Sequence, residues 1–240
     1  MRTPVVMSWS GGKDSAVALH ELLRLDEHEV VALMTSVSEE YRRISHHGVR
    51  EELLDAQAEA IGLPLEKVYL PSGPNGGCSN DVYEQIMAET LTPFRRRGVE
   101  TVAYGDLFLE DIRAWREASL TRLGMRAVFP IWKRDTTELA REVIRSGYRA
   151  YTSCVEGSVG REFAGRLYDH EFLAQLPAGV DPCGERGEFH SFVFDGPLFR
   201  WPVPVQVGEI VTRDGRFYAD LLSPSAPAQP NIVAEMIPQV

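Results

Sequence analysis

The sequence predicts an α/β fold: a five-stranded parallel sheet with helices on both faces over residues 1–132, followed by a smaller α+β domain over residues 133–240. Three observations predict it. Apolar runs of strand length alternate with helix-length periodic segments through the first half. A Gly-Gly loop joins the first such run to the first helix. Past residue 132 the two-state alternation stops. A β-α-β-α order implies parallel neighbours joined by right-handed crossovers.

The elements follow in order. Residues 4–9 (PVVMSW) are apolar and end at the Gly-Gly loop, as a buried strand does. Residues 16–23 read as a helix and 30–37 (VVALMTSV) as the second strand. Residues 48–61 place Val49, Leu53, Leu54 and Ala60 near helical spacing, and Gly62 and Pro64 then stop that helix. Residues 67–70 are a short third strand. A helix over 81–97 is interrupted or kinked near Pro93 and ends in Arg95-Arg96-Arg97, where cations suit the helix dipole. Strand four covers 101–104 and ends at Gly105-Asp106; a helix covers 112–123 and strand five 127–131. In the second half the sequence predicts a helix over 136–146, a strand over 148–155, a loop over 156–160 and a helix over 161–176. A turn-rich stretch over 177–187 precedes a strand over 188–194 and one or two more over 201–211. The Pro-rich stretch 223–230 is expected to be extended. Ligands of open parallel sheets sit at the carboxyl ends of the strands, where the strand order reverses. The loop after strand one and Gly105-Asp106 after strand four both belong to that edge.

Composition narrows the function. A chain of 240 residues buries roughly 72% of its unfolded surface, enough for a core without staples. With 44% hydrophobic and 25% charged residues, the bulk of the chain is not disordered. No apolar run approaches the ~18 residues of a membrane span, and the N-terminal apolar stretch is too short for a signal peptide, so the expected location is the cytoplasm. The 25 basic residues are outweighed by 35 acidic ones, and a net charge of −10 argues against a nucleic-acid partner. Cys78, Cys154 and Cys183 lie far apart with no C-x-x-C pair, which argues against structural zinc and against a disulfide framework. Only three of the basic residues are lysines, so a lysine in a glycine-rich loop is notable. The sequence does not set the oligomeric state; a homodimer is simply the commonest assembly.

The informative segment is Ser10-Gly11-Gly12-Lys13-Asp14-Ser15. Placed between a buried strand and a helix, it forms an anion cradle. The first N–H groups of the helix point outward, and its dipole adds positive potential. Two glycines let the backbone approach phosphate oxygens. Ser10 and Ser15 add hydroxyls and Lys13 a charge, while Asp14 beside phosphate suggests Mg²⁺ between them. A Walker A loop does not fit: position 7 is Met and position 14 is Asp. In the second half, Cys183, Glu185, Glu188 and His190 follow the Asp181-Pro182 turn. Glu185 and Glu188 could bind a metal, act as acid and base, or bind an amine; the alternative is a polar loop beside an edge strand.

The hexapeptide resembles the PP-loop of the N-type ATP pyrophosphatases. Those enzymes cleave ATP between the α and β phosphates, with an adenylated substrate between. The stretch 183–190 (CGERGEFH), continuing to 195–199 (DGPLF), resembles the second-domain motif of the diphthine–ammonia ligase family. His46-His47-Gly48, the 57–64 segment (QAEAIGLP), Tyr104-Gly105-Asp106 and Arg116-Glu117 agree with it, so the likeness runs from about residue 4 to residue 200. It implies a HUP-type, Rossmann-like nucleotide domain and an ATP-dependent amide ligase. ATP activates a carboxylate as an acyl-adenylate, and ammonia displaces AMP. The family's best-known acceptor is diphthine, a modified histidine on elongation factor 2. Three other readings stay open: a different carboxylate acceptor, a tRNA-modifying thiolase, and a nucleotide-binding module without turnover. The thiolase would need a catalytic cysteine pair and a basic RNA surface.

The resemblance also implies roles. Gly11, Gly12, Ser10 and Ser15 hold the departing pyrophosphate, and Lys13 neutralises charge on the α–β bridge. Asp14 and Asp106 are the candidate Mg²⁺ ligands. Adenine lies near Met34 at the end of strand two, with Gly105 bordering the nucleotide. Arg116 contacts the α-phosphate or the substrate carboxylate, or else forms a surface salt bridge with Glu117 or Glu110. Glu185, Glu188 and His190 position or deprotonate ammonia. Cys183 reads better as a small buried turn residue than as a nucleophile. His46 and His47 line the site or cap the following helix.

Overall fold

The structure, a computed structural model, describes residues 2–72 and 78–224. Five strands form the first sheet: β1 (Thr3–Ser8), β2 (His28–Ser38), β3 (Leu65–Leu70), β4 (Thr101–Ala103) and β5 (Arg126–Val128). Their spatial order is β3-β2-β1-β4-β5, and all pairs are parallel. The crossovers are α1 (Lys13–Leu25), α2 (Glu51–Ile61), α3 (Asn80–Arg96) and α4 (Glu110–Arg122). The order reverses between β1 and β4, so the loops leaving those two strands flank one crevice. Alternation along β1 makes the two faces. Val5 and Met7 join one core cluster with α1, while Val6 joins another with Leu91, Phe94 and Leu120. Helix α3 runs through Pro93 without interruption, to Arg96.

The second half contains α5 (Thr136–Arg145), β6 (Arg149–Glu156), α6 (His170–Gln175), β7 (Phe189–Asp195), β8 (Gln206–Arg213) and β9 (Arg216–Leu222). Its four strands form an antiparallel sheet in the order β7-β6-β9-β8. The two halves share a core: Ala16 and Leu19 of α1 belong to the same buried cluster as Phe189, Phe192 and Val193 of β7.

Two expectations are corrected here. The helix predicted over 161–176 is a 3₁₀ turn (Arg161–Phe163) and then, after an extended stretch, the six-residue α6. Backbone groups of 165–168 pair with the edge of β6 instead of with one another: Gly165 and Tyr168 donate to the carbonyls of Thr152 and Ala150 at 2.9 and 2.8 Å. Asp169 then caps α6 by accepting from Phe172 N–H at 2.8 Å. The strands expected over 201–211 are instead a hairpin reaching Leu222. Asp214-Gly215 turns it, with φ of 49° and 73°, as a two-residue primed turn requires. Of the Pro-rich stretch 223–230, residues 225–230 lie outside the described residues.

Candidate active site

The loop after β1 is built as an anion cradle. Gly11 has φ +75°, open to glycine at little cost, and Gly12 is the N-cap of α1, whose Lys13 N–H donates to Ser191 Oγ at 3.2 Å. Ser10 and Ser15 hydroxyls lie 3.1 Å apart, and Gly12 N–H donates to Ser10 Oγ at 3.3 Å. Gly105, after β4, lets the loop sit where it does. A Cβ there would lie 3.0 Å from backbone atoms of Asp14 and Ser15. Of residues 10–15, Ser10 lines a cleft of about 950 Å³ that also reaches Met34, His46, His47, Arg116 and His190.

The structure divides the expected residues. Lys13 does not face the cleft: it is 1% exposed, and its Nζ donates to the Cys183 carbonyl and lies 3.0 Å from Asp14 Oδ2. The rings of Tyr168 and Phe189 flank it, 5.4 and 5.0 Å from their centroids. Burial alone would lower its pKa, but the Asp14 carboxylate raises it further, so the ammonium keeps its charge. In this arrangement Lys13 ties the loop to the second domain. Glu188 is also turned inward. Its two oxygens accept from Asp181 N–H and Arg186 N–H at 3.0 and 2.9 Å, bracing the turn. Asp106 accepts from Arg116 with both oxygens, at 2.7 and 3.2 Å. Neither carboxylate expected in a surface salt bridge with Arg116 takes it: Glu117 pairs with Arg113 and Glu110 with Lys133. The Arg116 guanidinium stacks 4.2 Å from the Tyr104 ring centroid and lines the cleft.

Glu185 and His190 reach the chemistry from the second domain. Glu185 Oε1 accepts from Leu107 N–H at 2.7 Å and Phe108 N–H at 3.3 Å. Burial, aided by the charges of Asp14 and Asp106, pushes its carboxyl pKa up to about 7 against those two hydrogen bonds. It lines a side chamber of about 310 Å³ with Arg186 and Arg216. His46, His190 and Tyr218 line both chamber and cleft and form the wall between them. The His190 ring lies 4.5 Å from that of His47. Burial takes His47 down to about 4 and His190 well below the ordinary imidazole value, so both are neutral at physiological pH. Cys183 is buried, which pushes its thiol pKa up, and it is no thiolate nucleophile.

Sequence reasoning missed the residues that hold the histidine loop. Asp220 on β9 accepts from Arg43 Nη2 at 2.9 Å and from Arg50 Nε and Nη2 at 2.9 and 2.8 Å. Arg43 also donates to the Gly48 carbonyl at 2.6 Å. A Cβ on Gly48 would lie 2.8 Å from the Tyr218 ring. Of these, only His46-His47-Gly48 carried a signal in the sequence.

The first half of the chain matches the diphthamide synthase N-terminal domain over residues 1–127. The chain belongs to the diphthamide synthase family. Residues 135–221 match that family's C-terminal domain. Similar proteins are named diphthine–ammonia ligases. That of Bos taurus is 27% identical over 88% of this chain and 85% of its own. That of Danio rerio is 28% identical over 88% and 89%. That of Homo sapiens is 27% identical over 88% and 85%. Among the described residues, no helix of this diphthamide synthase family member is long and apolar enough to cross a membrane.

Proposed function

We propose that this diphthamide synthase family member is an ATP-dependent, AMP-forming amide ligase. A carboxylate oxygen of the acceptor attacks the α-phosphorus of ATP, the α–β bond breaks, and pyrophosphate departs into the 10–15 loop. Ammonia then attacks the acyl carbon, AMP leaves, and the surplus proton passes to the Glu185 carboxylate. The observation that carries this reading is the junction of two sites: the phosphate-binding loop and a carboxyl group with a pKa near 7 stand on either side of one wall, His46, His190 and Tyr218. A base poised near neutrality suits deprotonation of an attacking amine. Neutral His190 faces both compartments and can accept a hydrogen bond without competing for charge.

Mg²⁺ fits the loop through one group. Asp14 Oδ1 is buried without a hydrogen-bond partner, as a carboxylate oxygen awaiting a cation would be. Mg²⁺ commonly takes one or two carboxylates and fills its sphere with water and phosphate oxygens. Bound there, it would neutralise phosphate charge. Arg116, fixed by Asp106 at the cleft wall, is placed to meet the α-phosphate or the acceptor carboxylate. Met34, on β2 beside Ser8 at the end of β1, is assigned to the adenine. The names of the relatives support diphthine as the acceptor, and with it we propose elongation factor 2 as its carrier and the cytoplasm as the place of reaction.

The test is product analysis. With Mg-ATP, ammonium and an extract holding unamidated diphthine, the protein should release AMP and pyrophosphate in equal amounts, and chelating Mg²⁺ should stop it. ADP as the product would contradict the reading.

A further inference from the structure

One buried side chain outside the expected set touches the loop, the first sheet and the second domain at once. Gln57, on the inner face of α2, is 0% exposed. Its Oε1 accepts from Trp9 Nε1 at 3.1 Å. Its Nε2 donates to the Gly11 carbonyl at 3.0 Å and to the Val193 carbonyl at 2.6 Å. The Gly11 carbonyl also accepts from Val193 N–H at 2.9 Å. Two donors from different elements thus hold one carbonyl oxygen of the loop.

The Gly11 carbonyl and the Gly12 N–H belong to the same peptide unit. A trans peptide is planar and carries its C=O and N–H on opposite sides. Holding the oxygen toward α2 and β7 therefore aims the N–H the other way, toward Ser10, whose side chain lines the cleft. Gly11 needs such a restraint because its φ of +75° lies in a region that a glycine enters and leaves freely. The amide also fills the space beside Gly11, where a Cβ would lie 2.7 Å from Gln57 Oε1.

We propose that Gln57 is a positioning residue for pyrophosphate: by locking the Gly11–Gly12 peptide plane, it presents the Gly12 N–H to the departing phosphoryl oxygens. This rests on the reading of residues 10–15 as the pyrophosphate grip. The selectivity follows from geometry. The peptide that Gln57 holds lies in the loop, whereas adenine is assigned to Met34 on β2, beside Ser8, to which Gln57 makes no hydrogen bond. Loss of the clamp should therefore weaken pyrophosphate and spare AMP.

The experiment titrates the full chain, with Mg²⁺ present, against inorganic pyrophosphate and separately against AMP by calorimetry. Gln57→Met keeps the stem and removes both donors. It should weaken pyrophosphate about tenfold, the worth of one well-aimed hydrogen bond, and change AMP by less than twofold. Retained AMP binding shows that the fold survives. Gln57→Glu provides the second readout: its protonated carboxyl can donate to one carbonyl, so pyrophosphate affinity should recover towards wild type at pH 5.5 and fall at pH 8. Wild-type pyrophosphate affinity in Gln57→Met, equal loss of both ligands in the folded variant, or no pH dependence in Gln57→Glu would each overturn the proposal. Wild-type protein that ignores pyrophosphate overturns the loop reading itself, a distinguishable failure.

Discussion

Removing the Asp220 carboxylate takes from two buried guanidiniums the carboxylate they share. The Arg43 side chain is 9% exposed, Arg50 11% and Asp220 5%, so the pairing is largely shielded from solvent. Burial alone would raise the Asp220 pKa, but Arg50 and Arg43 outweigh it and hold it below the ordinary carboxylate value. Breaking a buried ion pair by deleting one side costs about 3–5 kcal/mol, so Asp220→Ala should lose about that much. At about 2–4 °C per kcal/mol for a chain of this size, the melting temperature should fall by roughly 6–20 °C. Asp220→Asn keeps the volume and one acceptor and should cost about 2 kcal/mol. Urea unfolding at pH 7, followed by tryptophan fluorescence and far-UV circular dichroism together, measures both. The sign with pH follows from the depressed pKa. The contribution is fully present above the unfolded value and is lost as pH falls through the folded one, so the gap between wild type and Asp220→Ala should close in acid. A loss below 1 kcal/mol at pH 7 would show that the triad only decorates the fold. The same cluster carries His46 and His47 through the Arg43–Gly48 bond, so turnover should fall more than stability explains.

Two further perturbations probe the residues whose roles the structure redefines. Lys13→Ala should destabilise the fold by about 3 kcal/mol, since the Asp14 carboxylate loses its buried partner and the Cys183 carbonyl its donor; an unchanged melting temperature with abolished turnover would return Lys13 to the reaction centre. For Glu185 the folded pKa, about 7, stands above the unfolded value of roughly 4.3, so its stabilising contribution is complete below the latter and lost as pH rises through 7. Glu185→Gln should match wild type in stability at pH 4 and exceed it by about 1–2 kcal/mol at pH 8, allowing for solvent screening of a half-buried group. The same substitution should remove the rise in amide formation across pH 6–8 at constant free ammonia, and a rise that persists would take Glu185 out of the proton path.

Much of the nucleotide half was legible because its signals are short-range. Strand runs, helix periodicity, and stops such as Gly62-Pro64 depend on neighbours within a few residues, and alternation of the two implies the parallel sheet. The cradle was legible for the same reason: a Gly-Gly turn before a helix presents N–H groups wherever the chain goes next. The second half was less so. Residues 161–176 have helical composition, yet their backbone pairs with β6, a choice made by a strand already in place. The Asp214-Gly215 hairpin carried a turn signal that the apolar pattern of 201–211 obscured.

Side-chain destinations were decided by the tertiary structure alone. Lys13 stands in the most recognisable loop of the chain, but its ammonium meets a carbonyl 170 residues away. Glu185 and Glu188 are three positions apart and chemically identical, yet one braces a turn and the other faces a chamber. Gln57 looks like an ordinary polar residue on a helix until β7 closes over it. Sequence by itself determined the sheet, the phosphate loop and the family, because these follow from local conformational preference and from contiguous motifs. Only the docking of the antiparallel sheet onto α1 decided which polar groups were buried, paired or left facing the cleft, because burial and pairing depend on atoms distant in the chain.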